Sequence, residues 1–275
     1  MMEWLGKHNP FEKRYTLIRL IVPDSHGSYI DTKAFKAFLN DLATLDPQEI
    51  VLLGDHVDCS SVFSSHKKNT LEDLEYSYKE DIAKTNSFLD SIQMLAPKAK
   101  IYYLQGNHEQ RIERWSSNTF ENHTDASYIT SILDPSVLLD LKGRGIQYFR
   151  MHTMHHGLSI PGTIRLGQCF FTHGITACKH AAATHVERFG ANIVFGHVHR
   201  AQSHVIRTIA SGEIGGWSPG TLAQLQPTYM HTNPSNWTHG YGLQFVNKGP
   251  GTFLHINVPI VQGKSLLLDL TSRLG

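Results

Sequence analysis

The chain lacks most of what would place it in a specialised class of protein. Its three cysteines, Cys59, Cys169 and Cys178, are odd in number and do not have the paired spacing of a zinc ribbon or a disulfide framework. They read as reduced thiols, which implies a cytoplasmic protein, and Cys169 in the run Cys169-Phe170-Phe171 reads as core. No sign of charge dominates: 25 Lys and Arg stand against 24 Asp and Glu, a formal charge of +1. Without a long basic run, strong non-specific binding to nucleic acid is not expected, though a local basic groove stays open. No apolar run approaches a membrane span, and Met1 to Arg14 hold no apolar stretch of the signal-peptide kind. No repeat, low-complexity tract or linker divides the chain, so residues 1–275 are expected to form a single domain.

The chain is rich in histidine, with 18 in 275 residues. Several of these fall in polar clusters that end apolar runs. The clusters are Asp24-Ser25-His26, Gly54-Asp55-His56-Val57-Asp58, Gly106-Asn107-His108-Glu109, Thr172-His173-Gly174 and Gly196-His197-Val198-His199. Tyr15 to Pro23, Glu49 to Leu53, Lys100 to Leu104, Ile146 to Arg150, Gly167 to Thr172 and Asn192 to Phe195 read as strands from their apolar, β-branched content. Thr32 to Leu45, Thr70 to Leu95 and Ala177 to Phe189 have helical spacing, the first with Asp31 or Thr32 as N-cap. Residues 109–141 read as a helical insertion. The C-terminal part, about residues 201–275, reads as β-rich: Gly215 to Asn236 as loop, then strands at Tyr241 to Val246, Phe253 to Val258 and Ser265 to Leu270. Ligands of α/β sheets bind beyond the carboxyl ends of the strands, so the clusters can converge on one edge.

Their chemistry suits metal. Asp24 and His26 are two apart, so in an extended segment both face one ion. His197 and His199 share that spacing and can serve adjacent ions. Asp55 is placed to bridge two metals, Asn107 offers a neutral amide oxygen, and His173 another imidazole. This mixed nitrogen and oxygen set suits Mn, Fe, Zn, Co or Ni better than Mg or Ca. Two divalent ions, less two carboxylates and a bridging hydroxide, leave about one positive charge for a phosphate oxygen. Two metals about 3.5–4 Å apart can clamp an in-line displacement at phosphorus. Taken singly, each cluster has a plainer reading: Asp24 and Asp55 as helix caps, Asp58 in an Asx-turn, His173-Gly174 as an ordinary turn.

In order, the clusters resemble those of the calcineurin-like metallophosphoesterase superfamily: DxH, GDxxD, GNH[DE], a lone His before Gly, and GHxH. The resemblance runs from Asp24 to His199. It implies an α/β fold, a four-layer α-β-β-α sandwich with mixed sheets. It implies two divalent transition metals, manganese foremost. Asp24, His26, Asp55 and His199 would hold one, and Asp55, Asn107, His173 and His197 the other. His108 would contact the phosphate and protonate the leaving oxygen, and Asp58 would hold His108 cationic.

The resemblance implies a phosphoester substrate. Phosphoprotein phosphatases of the superfamily carry Arg after GDxxD, where this chain has Cys59. A diester carries one charge fewer, so a phosphodiesterase acting by a metal-bridging hydroxide is expected, on a small diester or an accessible nucleic-acid strand. A phosphomonoesterase or protein phosphatase, a nuclease, and a non-catalytic metal-binding scaffold are the alternatives. His56 and Arg111 are candidate substrate contacts. Arg114, His152, His155, His156, His180 and His185 lie near enough in sequence to line a pocket or to be structural. Trp115, Trp217 and Trp237 can stack on a base or pack in core and loops. Small phosphoesterases of this style occur in bacterial and phage genomes, so a bacterial or phage-infected cell is the expected setting. The oligomeric state is not legible.

Overall fold

The computed structural model describes residues 17–60, 63, 75–120, 124–151, 153–155, 158–160, 162–227, 230, 234–247 and 249–267. Strands β1 (Leu17–Val22), β2 (Glu49–Leu52), β3 (Lys100–Leu104) and β4 (Gln147–Phe149) run parallel to one another. Strand β5 (Thr153–His155) pairs with β6 (Leu158–Ile160) in a separate hairpin. Strands β7 (Thr163–Leu166), β8 (Cys169–Thr172), β9 (Asn192–Phe195), β10 (Ala201–Thr208) and β11 (Gly212–Pro219) form a five-stranded sheet in the order β10-β11-β9-β8-β7. Strands β12 (Gly240–Val246), β13 (Phe253–Val261) and β14 (Lys264–Ser265) return to the first sheet and complete its seven strands, in the order β14-β13-β12-β1-β2-β3-β4. Both sheets are mixed.

The two-residue period of the strands sorts side chains between two cores. Leu20, Val22, Ile50, Leu52, Ile101 and Tyr103 point to helices α1 (Thr32–Leu45) and α2 (Tyr78–Leu95), where Phe38, Leu42, Phe88, Leu89 and Ile92 meet them. Their neighbours Ile21, Val51, Leu53, Tyr102 and Leu104 point the other way, onto Ile164, Cys169, Phe171 and Val194 of the second sheet. Beyond that sheet, Val186 of helix α6 (Ala181–Phe189) packs on Ile193 and Ile214. The layers are therefore helix, sheet, sheet, helix. Cys59 and Cys169 are both buried core residues.

Short helices α3 (Arg111–Thr119), α4 (Ala126–Leu133) and α5 (Pro135–Leu138) occupy the expected helical segment after β3. The helix read from Thr70 is described from Tyr78, where the Ser77 hydroxyl accepts from Glu80 N; residues 70–74 lie outside the described residues. Met1 to Arg14 and residues 268–270 lie outside them too.

The expected loop at Gly215 is a correction. Gly215 to Pro219 belong to β11, paired antiparallel with β10 over its full length. Gly216 is a packing requirement. A Cβ on Gly216 would lie 2.6 Å from the carbonyl oxygen of Ala182, so only glycine lets α6 sit this close to the sheet.

Candidate metal centre

Because β1, β2 and β3 are parallel, and β8 and β9 are parallel, the five clusters leave their sheets at strand carboxyl ends. The backbone then bends sharply. His26, Asp55, His197 and His199 all have left-handed φ angles, 51°, 51°, 68° and 54°. Non-glycine residues rarely adopt this conformation, and such positions concentrate where geometry serves function. Gly106 and Gly196 give the loops room: a Cβ on either would strike the carboxylate of Asp55 or Asp24, at 2.1 and 2.5 Å.

The structure brings all seven expected ligand residues together. Asp24, His26 and His199 form one group able to hold a metal, and Asp55, His173 and His197 another. Nε2 of His199 lies 3.1 Å from Asp24 Oδ2 and 3.1 Å from His26 Nε2. Nε2 of His173 lies 3.2 Å from Asp55 Oδ2 and 2.9 Å from Asn107 Oδ1. Asp55 also joins His26 and His108 in a third group, so its carboxylate stands within reach of both sides.

The outer nitrogens show how the rings are aimed. His26 Nδ1 donates to Asp58 Oδ1 at 2.7 Å, and His173 Nδ1 donates to the Leu53 carbonyl at 2.9 Å. Each bond turns Nε2 inward, the arrangement typical of metal-binding histidines. The donor set therefore fits divalent transition metals. The electrostatics agree. Burial pushes His26 and His173 down, but the neighbouring carboxylates overcome it and raise them to about 9 and about 10. Burial likewise opposes ionisation of Asp24 and Asp55, yet the adjacent imidazoles hold both below the usual carboxylate range. Burial, aided by the charge of His173, pushes His197 down to about 4, and burial lowers His199.

His108 stands at the edge of this cluster. Its Nδ1 donates to the Asp58 carbonyl at 2.7 Å, with the Asp58 carboxylate 3.1 Å away. Its backbone N–H donates to Asp55 Oδ1 at 2.8 Å. Arg111 reaches it from α3, placing Nη2 2.8 Å from Nε2, while Nη1 donates to the carbonyls of Asp58 and Cys59.

The remaining candidates are more scattered. His56 is fully buried, stacked on Phe88 and bonded to Ser25 Oγ, which puts its ring in the helix-side core. His185 is buried under the His173 loop, where Nε2 accepts from Ile175 N. His180 is exposed before α6, and exposed Arg114 donates to the Asn107 carbonyl. His152 and His156 lie outside the described residues, and of His155 only the backbone is described. Trp115 packs on Phe63 and Phe120, and Trp217 on Phe253 between the sheets. Trp237 sits against His199.

Two buried carboxylates organise the loops and carry no expected role in the sequence reading. Glu109 accepts five hydrogen bonds, from the backbone N–H groups of Asp55, His56, Val57 and Gly106 and from Tyr103 Oη. Asp81 of α2 accepts from the backbone of Ser28, Asp58 and Cys59 and from Tyr76 Oη. Burial pushes both pKa values up, and the donors around each pull back toward the anion. Asp81 was detectable in principle. It shares a helix face with Thr85, Phe88, Leu89 and Ile92, where an acidic residue needs partners.

A family model described as calcineurin-like phosphoesterase matches residues 19–201. The chain belongs to that family. Among curated relatives, the Gene 54 protein of Mycobacterium phage D29 is 25% identical over 89% of this chain and 94% of its own length. The Gene 54 protein of Mycobacterium phage L5 is 24% identical over the same shares. Among solved structures, Vacuolar Protein Sorting 29 from Cryptosporidium parvum aligns over 91% of this chain and 95% of its own, at 13% identity and a TM-score of 0.46. YfcE, a phosphoesterase from E. coli, aligns over 88% of this chain and 99% of its own, at 17% identity and a TM-score of 0.33. No described helix of this phosphoesterase-family chain is long and apolar enough to cross a membrane.

Proposed function

We propose that the chain is a phosphodiesterase dependent on two divalent transition metals, with manganese the first to test. The observation that carries this is the position of Asp55, whose carboxylate falls within ligand reach of His26 on one side and of His173 and His197 on the other. Asp24, His26, Asp55 and His199 would hold one ion, and Asp55, Asn107, His173 and His197 the second. Bound there, the ions would polarise a phosphoryl oxygen and lower the pKa of a water between them.

The chain's own residues do the rest. Asp58 keeps Nδ1 of His108 protonated through its carbonyl and carboxylate oxygens. Nε2 is then the nitrogen that delivers a proton to the leaving oxygen. Arg111 rests on that nitrogen, so it must turn onto a phosphoryl oxygen before His108 can act. His56, sealed in the core, takes no part in binding substrate.

Position 59 supports the diester. Its thiol side chain is wholly buried and presents nothing to a phosphoryl group. One observation favours a second reading, a phosphomonoesterase: the Arg111 guanidinium lies on the backbone of residues 58 and 59 and supplies a cation from another element. The phage relatives support action inside an infected bacterial cell. The site draws on both sheets, which supports one domain.

Metal analysis with rates on bis(p-nitrophenyl) phosphate and p-nitrophenyl phosphate tests the reading. The expectation is two ions per chain and a faster diester rate. A chain that binds no transition metal, or that cleaves only the monoester, refutes it.

A further inference from the structure

His199 is held differently from His26 and His173. His26 and His173 are fixed by hydrogen bonds at Nδ1, to Asp58 and to the Leu53 carbonyl. His199 Nδ1 is buried and has no hydrogen-bond partner among the described residues. Among the described residues the ring is held by polar contacts at Nε2 alone, the atom a metal would take, to Asp24 Oδ2 and His26 Nε2 at 3.1 Å each. The ring lies between two others, with His26 at 4.9 Å and Trp237 at 4.2 Å, both edge to face.

The Trp237 side of this packing is anchored. Thr238 N donates to the His199 carbonyl at 2.8 Å, and Thr238 Oγ1 accepts from Ala201 N at 2.7 Å. Thr221 N donates to the Thr238 carbonyl at 2.9 Å. The same Thr221, with Leu222, grips the Asp24 carbonyl: Thr221 Oγ1 and Leu222 N each donate at 2.8 Å. Thr221, Leu222 and Thr238 thus tie together the loops of Asp24 and His199. All of them lie beyond residue 201, where the family match ends.

We infer that Trp237 is a positioning residue for metal binding, its indole replacing the hydrogen bond that His199 lacks and so completing the Asp24–His26–His199 position. The inference rests on the two-metal reading above. An aromatic face beside the imidazole resists ring rotation by van der Waals contact and by the edge-to-face preference of π systems. The position it supports should be selectively weakened without it, while that of Asn107, His173 and His197 is untouched.

The test is titration of the metal-stripped full-length chain with Mn²⁺ by calorimetry and with Co²⁺ by tryptophan emission. The wild-type chain should bind two ions, and Co²⁺ should quench emission from Trp237. Trp237→Ala should weaken one of the two ions by roughly tenfold to a hundredfold, the usual cost of losing an outer partner of a metal ligand. Trp237→Phe keeps a ring, so it should recover most of that affinity while losing the quench. Equal affinities in wild type and Trp237→Ala overturn the inference, as does full Co²⁺ quenching in Trp237→Phe. Should the alanine variant fail to fold, a phenylalanine variant with unaltered quenching still overturns it. A wild-type chain that binds no metal sinks the two-metal reading itself, which is a distinct result.

Discussion

Arg111 Nη2 stands 2.8 Å from His108 Nε2, while His108 Nδ1 donates to the Asp58 carbonyl. A guanidinium only donates, so Nε2 is on the accepting side of this contact. Arginine and the proton to be delivered compete for one nitrogen. Arg111→Ala should therefore raise KM and weaken inhibition by inorganic phosphate, by about tenfold for the loss of one charge-assisted bond. Initial rates with phosphate as competitor measure it; an unchanged inhibition constant would falsify a phosphate contact.

His108→Ala should separate substrates by leaving group. The loss of a general acid costs about 10²–10⁴ in kcat when the leaving alkoxide is basic. For p-nitrophenolate, which leaves without help, the loss should be small. Equal losses on alkyl and aryl diesters would make His108 a structural residue.

Asp58 serves two histidines, since its Oδ1 accepts from His26 Nδ1 at 2.7 Å and lies 3.1 Å from His108 Nδ1. Asp58→Asn should thus lower metal content as well as kcat, whereas His108→Ala should spare metal content. Elemental analysis of both purified variants distinguishes them. Full metal occupancy in Asp58→Asn would confine Asp58 to His108.

Metal binding should release protons. His26 and His173 hold their protons to about pH 9 and about pH 10 in the metal-free protein, and ions that take Nε2 must displace them. The sign for stability follows from linkage. Both values are raised, so in the metal-free protein their contribution is full below about pH 6.5, the ordinary histidine value, and is lost as pH rises through 9 to 10. Metal affinity runs the other way and climbs with pH through that window. Calorimetry in buffers of different ionisation enthalpy should count about two protons released at pH 7. No dependence on the buffer would show that these rings do not bind the ions.

Glu109→Gln should destabilise the fold. One of its two oxygens would become an NH2 group facing N–H or O–H donors, which would lose their acceptor there. Each buried donor left unpaired costs about 1–3 kcal/mol, so a loss of about 3 kcal/mol or more is expected from denaturant unfolding. A change under about 0.5 kcal/mol, ordinary for surface sites, would mean the clamp is dispensable.

The clusters were legible because they end apolar runs, and parallel strands bring such ends to one edge. The apolar, β-branched run through Leu20, Ile21 and Val22 likewise predicted strand β1, and in the structure its alternation supplies both cores. The hairpin of β10 and β11 was not legible: Gly215 and Gly216 read as turn residues, and the contact with Ala182 that requires glycine is long-range. Asp81 was legible only as an acid on an apolar helix face; no motif tells that it lies beneath Asp58. Trp237 was indistinguishable from Trp115 and Trp217 by sequence, since only tertiary packing sets it beside His199.

The seven candidate ligand residues divide by sheet. Asp24, His26, Asp55 and Asn107 follow strands of the seven-stranded sheet, and His173, His197 and His199 follow strands of the five-stranded one. The Asp24–His26–His199 and Asp55–His173–His197 groups each contain members from both, so any ion held in either ties the two halves of the sandwich together along their common edge. Chelation should let one sheet slide on the other before either unravels. Amide exchange should then quicken first at the Leu53 and Phe195 ends of the seam.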